Sequence, residues 1–349
     1  MGQFKQIYHA LCGSVFSEVI KNEVSNLDFI MMNTPRHGNM GDHAIAYAEK
    51  LFFEKYFPDI RYGEITGPYL WKYIDIYKKY ISKDTVLGIS GGGYLGNIWF
   101  NEEVLIRIIF EYFPENKIVF FPQTVFFNAA ENRTEEIEKS RKTYSEHRAP
   151  VMAFFRDRLS FDFGLNEYKS FDKIFEAPDM ALFLKPEFDI EREEEAVIIF
   201  RHDVEKSEST PGVDKIEDEL RLKNVSYKII DTVVGRRIST KKRNKEFIDI
   251  LKRFASAKFV ITDRLHGMIM SAITGTPCLA FDNLTGKVSG CYKWIENLDY
   301  IRILRDDSEL ESGVDWIIDA AEKKWNYDNK HLEKYYEKMA DEIRLYLQS

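Results

Sequence analysis

At 349 residues the chain is longer than one ordinary hydrophobic core supports, so two domains are expected. Its composition, 44% hydrophobic and 30% charged, is that of a soluble globular protein, and a net charge of −8 argues against a general nucleic-acid binder. Three scattered cysteines (Cys12, Cys278, Cys291) form neither a disulfide framework nor a zinc site, which fits a reducing cytosol, and neither a signal peptide nor a membrane span is expected.

The first predicted element is an amphipathic helix from Phe4 to Val24. With only Lys5 and Lys21 as basic residues, it is expected to dock on the protein rather than on a membrane surface. Leu27 to Asn33 reads as a buried strand, followed by the Gly-punctuated run Gly38-Asn39-Met40-Gly41-Asp42 and a helix from His43 to Tyr56. A weak strand (Ile60 to Ile65) and a Tyr-rich helix (Pro68 to Tyr80) come next. The strand Thr85 to Ser90 ends on Gly91-Gly92-Gly93, where three glycines imply a close approach. A helix (Asn101 to Phe113), a strand (Lys117 to Phe121), a charged helix (Glu131 to His147) and a strand (Val151 to Phe155) complete the first half. Such alternation is the signature of a mostly parallel sheet covered on both faces.

The acidic, Pro-containing stretch Lys185 to Glu195 is the candidate linker, and the domains are placed at residues 1–190 and 191–349. Strands are expected at Ala196 to Phe200, Ser226 to Ile230, Lys258 to Thr262, Pro277 to Phe281 and Tyr300 to Leu304. Helices are expected at Val213 to Leu222, Ser239 to Ala255, Gly267 to Thr274, Ser308 to Trp325 and Asn329 to Leu347. The last of these is a candidate to pack back on the N-terminal half. The basic cluster Lys241 to Lys245 reads as the solvated first turn of its helix.

Chemistry-bearing residues gather at predicted strand ends, where open α/β folds bind ligands. Asp263-Arg264-Leu265-His266-Gly267 combines a guanidinium with an imidazole, an anion clamp beside a proton donor. Arg264 and His266 share strand parity and would face one way in extended backbone. Arg201-His202-Asp203 ends another strand and would lie on the same edge if the two strands are parallel neighbours. The two glycine runs are read as loops offering backbone N–H groups to an anion, with tight structural turns as an equal reading. Gln123 is placed at a strand end, free to hydrogen-bond a sugar hydroxyl or to orient a loop. Arg156-Asp157 reads first as an ion pair capping a helix, and Asp179 equally as a cap or a base. No metal site is expected, because neither zinc spacing nor Asp-x-Asp occurs.

The motifs Asn39-Met40-Gly41-Asp42, Gly91-Gly92-Gly93, Pro122-Gln123, Arg156-Asp157 with Ser160, Asp179-Met180-Ala181, Arg201, Arg264-Leu265-His266-Gly267, Pro277 and Lys287 together resemble those of the polysaccharide pyruvyl transferases. The resemblance covers roughly Asn33 to Trp294 and is nearest to the bacterial exopolysaccharide and capsule type, judged from Phe200 to Asp203 and Asp282 to Lys287. It implies a GT-B-like fold of two Rossmann-like domains facing across a cleft. The implied donor is phosphoenolpyruvate and the implied product a cyclic pyruvate ketal on two sugar hydroxyls, with phosphate released and no cofactor. Arg201 and Arg264 would hold the donor and His266 would protonate its methylene carbon, with Asp42, Asp179 and Asp263 as candidate bases. The N-terminal half would take the saccharide acceptor, lipid-linked by family expectation, at the cytoplasmic face of the inner membrane; oligomeric state stays open. Two competing readings are a GT-B glycosyltransferase using a nucleotide sugar and a non-catalytic sugar- or phosphate-binding module.

Overall fold

The computed structural model describes residues 16–129, 132–207 and 210–348. Of the predicted first helix, α1 is described over residues 16–24; Lys5 and Cys12 lie outside the described residues.

Two all-parallel sheets organise the chain, one of seven strands and one of five. The first contains β1 (Phe29–Thr34), β2 (Tyr62–Thr66), β3 (Val86–Ile89), β4 (Gly92–Gly96), β5 (Ile118–Phe126), β6 (Val151–Phe155) and β7 (Lys173–Glu176). Its order is β2-β1-β3-β5-β6-β7, with β4 paired to β5. The second sheet contains β8 (Ala196–Ile199), β9 (Tyr227–Ile229), β10 (Val260–Thr262), β11 (Cys278–Phe281) and β12 (Ile301–Leu304), in the order β12-β11-β10-β8-β9. Unbroken apolar runs such as Val151–Phe155 and Cys278–Phe281 are buried throughout, because helices cover both faces of a parallel sheet.

Helices α2 (Met40–Tyr56), α3 (Gly67–Tyr80), α4 (Phe100–Tyr112), α5 (Arg133–Ser145) and α6 (Arg158–Glu167) serve the first sheet. Helices α7 (Val213–Leu222), α8 (Thr240–Ser256), α9 (Leu265–Ile273), α10 (Lys287–Tyr292) and α11 (Leu310–Ala321) serve the second. The C-terminal α12 (Lys330–Gln348) returns to the first sheet, where Lys173 pairs with Glu342 at 2.5 Å and the Tyr336 hydroxyl donates to the Asp179 carbonyl at 2.9 Å. Residues 184–195 between the sheets carry neither helix nor strand.

Several elements differ from expectation for physical reasons. The Gly91-Gly93 run is no helix-opening turn, since Gly92–Gly96 continues as β4 beside β5. Gln123 lies inside β5 and not at its end; it is fully buried and donates its amide to the Ser90 carbonyl at 2.5 Å. Helix α2 opens three residues early because the Asn39 side chain caps it, accepting from the Gly41 N–H at 3.1 Å. Helix α9 likewise opens at Leu265, so strand parity does not describe Arg264 and His266: one is the cap and the other is helical. Arg243, expected in a solvated turn, is buried and reaches Glu64 of the other half at 2.7 Å.

Each sheet has a point where successive strands turn to opposite sides, between β1 and β3 in the first and between β8 and β10 in the second. Loops leave a crevice at such points. A backbone ladder joins the two crevices: Met40 N–H donates to the Thr232 carbonyl, Val234 N–H to Gly38, and Ile238 N–H to Arg36. One apolar cluster runs from Phe29 and Phe52 of the first half through Phe247 and Met268 of the second to Tyr336 of α12.

Candidate functional site

A cleft of about 650 Å³ opens between the two switch points. From the second half it is lined by Arg201, Asp203, Glu205, Arg264, Leu265, His266 and Lys287, and from the first by Asn39, Asp42, Gly91, Gly93 and Arg156, among others. Strands β8 and β10 are parallel neighbours, with Ile199 opposite Thr262, so Arg201 and Arg264 emerge side by side from one edge, as the strand-end reading requires.

Their charges are positioned by carboxylates. Arg201 Nε lies 2.9 Å from Asp203, and its Nη1 is paired with Glu205. Arg264 lies 3.1 Å from Asp231 and 3.8 Å from Asp203. Lys287, at the start of α10, also pairs with Glu205. Burial pushes the Glu205 carboxyl up, but Lys287 and Arg201 outweigh it and bring it down to about 2. Trp99 of the first half donates to the same carboxylate at 2.7 Å, tying the two walls together.

His266 sits where the halves meet. Its Nε2 is 3.5 Å from Asp179 Oδ2, and Arg156 Nη1 approaches that same oxygen at 2.6 Å. Burial would raise the Asp179 carboxyl, but the Arg156 guanidinium and then His266 outweigh it, holding it well below the usual carboxylate range. A carboxylate so held remains ionised and orients the imidazole rather than collecting a proton. On its other side the ring packs on Gly41, where a Cβ would fall onto Nδ1. Gly93 plays a similar part for Arg156, since a Cβ there would lie 2.6 Å from Nη2.

The remaining expectations divide plainly. Asp263 is fully buried and does not line the cleft; its Oδ1 accepts the Arg201 N–H at 2.9 Å, and burial pushes its carboxyl up to about 6. It braces the arginine loop and is not placed to touch substrate. His202 is exposed outside the cleft because it follows a strand end whose alternate side chain, Arg201, turns inward. Gly267 packs on Thr262, and Gly92 and Gln123 lie behind the lining. Four N–H groups of the glycine runs are engaged within the protein, as the structural-turn reading has it: Gly91 N–H donates to Glu49 at 2.6 Å, and those of Asn39, Met40 and Gly41 go to His37, Thr232 and Asn39. Asp42 does face the cleft, 3.6 Å from His37.

Sequence reasoning undervalued Arg156. Its neighbour Asp157 invited a local pair, but Asp157 caps α6 by accepting from Ser160 N–H at 2.8 Å, while Arg156 reaches Asp179. Arg36 and Glu205 were not singled out, since a charge in an irregular loop has no periodicity to mark it.

The profile of the family described as polysaccharide pyruvyl transferase matches residues 39–285. The chain belongs to the polysaccharide pyruvyl transferase family. The transferase is 32% identical to the general stress protein 30 of Bacillus subtilis, over 90% of this chain and 92% of that protein. It is 25% identical to pyruvyl transferase 1 of Schizosaccharomyces pombe, over 82% of this chain and 75% of that one. Among solved structures, an uncharacterised protein of Klebsiella pneumoniae shares the fold with a TM-score of 0.52 and 19% identity, over 87% of this chain and 100% of that chain. Its family makes the enzyme one that transfers a pyruvyl group to a polysaccharide.

Proposed function

We propose that the transferase takes its pyruvyl group from phosphoenolpyruvate and closes it as a cyclic ketal on two hydroxyls of a sugar, releasing phosphate. The observation that carries this reading is the convergence of Arg201, Arg264 and Lys287 around His266, whose far nitrogen is backed by the Asp179–Arg156 pair. Arg36 and Arg237 add to the same lining. A small anion with close to three charges suits such a clamp, with the guanidinium forks taking phosphate and carboxylate oxygens.

His266, with Nε2 turned to Asp179, delivers a proton from Nδ1 to the methylene carbon of the donor. That carbon becomes a methyl group and its neighbour becomes oxocarbenium-like, stabilised by the attached oxygens. The first sugar hydroxyl adds there and its proton passes to the now neutral His266. Phosphate then leaves with the C–O bonding pair, and the second hydroxyl closes the ring as its proton passes to a base. Of the three candidate carboxylates, Asp179 is held ionised by Arg156 and Asp263 is outside the cleft, so Asp42, beside His37, takes that role. Residues 1–190 form the acceptor side and 191–349 the donor side, and the acceptor is a lipid-linked saccharide of exopolysaccharide or capsule assembly. The enzyme acts in the cytoplasm at the inner membrane face. No helix among the described residues is long and apolar enough to cross a membrane.

Phosphate release from phosphoenolpyruvate in the presence of a sugar acceptor tests the roles. Arg264→Ala is expected to lower kcat/KM for phosphoenolpyruvate on the order of 10²–10³-fold, the cost of removing one partner from a desolvated charge pair. His266→Ala is expected to abolish turnover while phosphoenolpyruvate still binds. Full activity in either variant would remove the assigned role.

A further inference from the structure

The N–H groups of Gly91, Asn39, Met40 and Gly41 are engaged inside the protein, which directs attention to side chains of the first half as the hold on the acceptor. Two features of the cleft wall stand out. Trp71 on α3 and Trp99 at the start of α4 both line the cleft, yet 47% and 39% of their surfaces are exposed. Beside them Asn33, near the end of β1, adopts a left-handed backbone with φ 61°, which asparagine reaches more readily than other non-glycine residues. Its side chain is held at both ends. Asn33 Nδ2 donates to Glu102 Oε2 at 2.8 Å, and Gly67 leaves the space that Asn33 Oδ1 fills. Asn33, Gly67 and Glu102 all face the same cleft.

We infer that these residues form the acceptor subsite: a pyranose ring stacks on Trp71 while Glu102 and Asn33 take its hydroxyls. A carboxylate and an amide joined at one end present acceptors and a donor at the spacing of neighbouring hydroxyls, and an exposed indole face matches the C–H face of a sugar. The wall adjoins the anion clamp through Trp99, whose indole N–H donates to Glu205, the carboxylate that also holds Arg201 and Lys287. A sugar seated there shares one cleft with His266. The assignment rests on the proposed pyruvyl transfer for its meaning, but its ligand is the sugar and not the donor.

The test therefore uses sugar binding without phosphoenolpyruvate. Saturation-transfer NMR on the full chain with methyl glycosides of glucose, galactose and N-acetylmannosamine should show ring-proton saturation for at least one of them with the unaltered protein. Trp71→Ala and Glu102→Ala are each expected to weaken that binding by roughly tenfold, and Trp71→Phe to recover most of it. Calorimetric affinity for phosphoenolpyruvate should stay within about twofold in all three, since none of them touches the arginine clamp. Absence of saturation for every glycoside with the unaltered protein, or signals unchanged in Trp71→Ala and Glu102→Ala, would overturn the subsite. Sugar binding that responds to both variants in a protein with no affinity for phosphoenolpyruvate would support the subsite and remove the donor assignment alone.

Discussion

The His266 imidazole lies where a side chain at position 41 would otherwise project, and a Cβ on Gly41 would fall 2.7 Å from the His266 Cβ and onto the ring itself. The absent side chain is therefore a condition of the position that His266 takes. Gly41→Ala is expected to lower kcat on the order of 10²-fold, the effect of about 1 Å of misplacement at a reacting group, with a near-native circular dichroism spectrum as the check on folding. At this scale the sequence was informative where the chemistry is local. Arg264-Leu265-His266 and Arg201 could be placed on one sheet edge because each follows an apolar strand, although His202 follows one too and lies outside the cleft. Asp263 could not be distinguished from them, since only the fold shows that it turns back to hold the Arg201 N–H. Arg156 was hidden for the opposite reason: its partner Asp179 is 23 residues away, and an adjacent aspartate offered a simpler pairing.

At the scale of the element, α2 carries two buried titratable groups that pull stability in opposite directions. Burial raises Glu49 from its ordinary 4.5 to about 8, against the Gly91 N–H and Ser90 hydroxyl that favour its charged form. Between those values the folded protein holds a proton that the unfolded chain has released, so stability falls as pH rises through that window. His43 is lowered by burial from 6.5 to about 4, so its contribution is present above 6.5 and is lost as pH falls toward 4. Glu49→Gln keeps an acceptor for Gly91 and removes the titration. The variant is expected to lose the decline in urea midpoint that the unaltered protein shows between about pH 5 and pH 8. An unchanged slope would mean that Glu49 titrates normally. Most elements were legible from periodicity to within a few residues, and α7 matched at both ends. The glycine-rich β4 and the half-buried β7 were not, because three of the five β4 residues are glycine and β7 is four residues long.

At the scale of the molecule, alternating strands and helices announced two parallel sheets, and the break at residues 184–195 showed where they divide. What alternation does not encode is how the sheets meet. That depends on the Arg36–Met40 ladder to Thr232–Ile238, on Arg243 reaching Glu64, and on α12 returning to the first sheet. These contacts place Asp179 and Arg156 of one half against His266 of the other, so the proposed proton donor is completed only when both halves are in place. The central claim is that this assembled donor protonates carbon. Transfer run in deuterium oxide with unlabelled phosphoenolpyruvate tests it directly, by mass spectrometry and proton NMR of the sugar product. One deuterium in the pyruvyl methyl group, with one phosphate released per ketal, is expected. A product whose methyl group carries no deuterium, or a sugar modified without phosphate release, would contradict it.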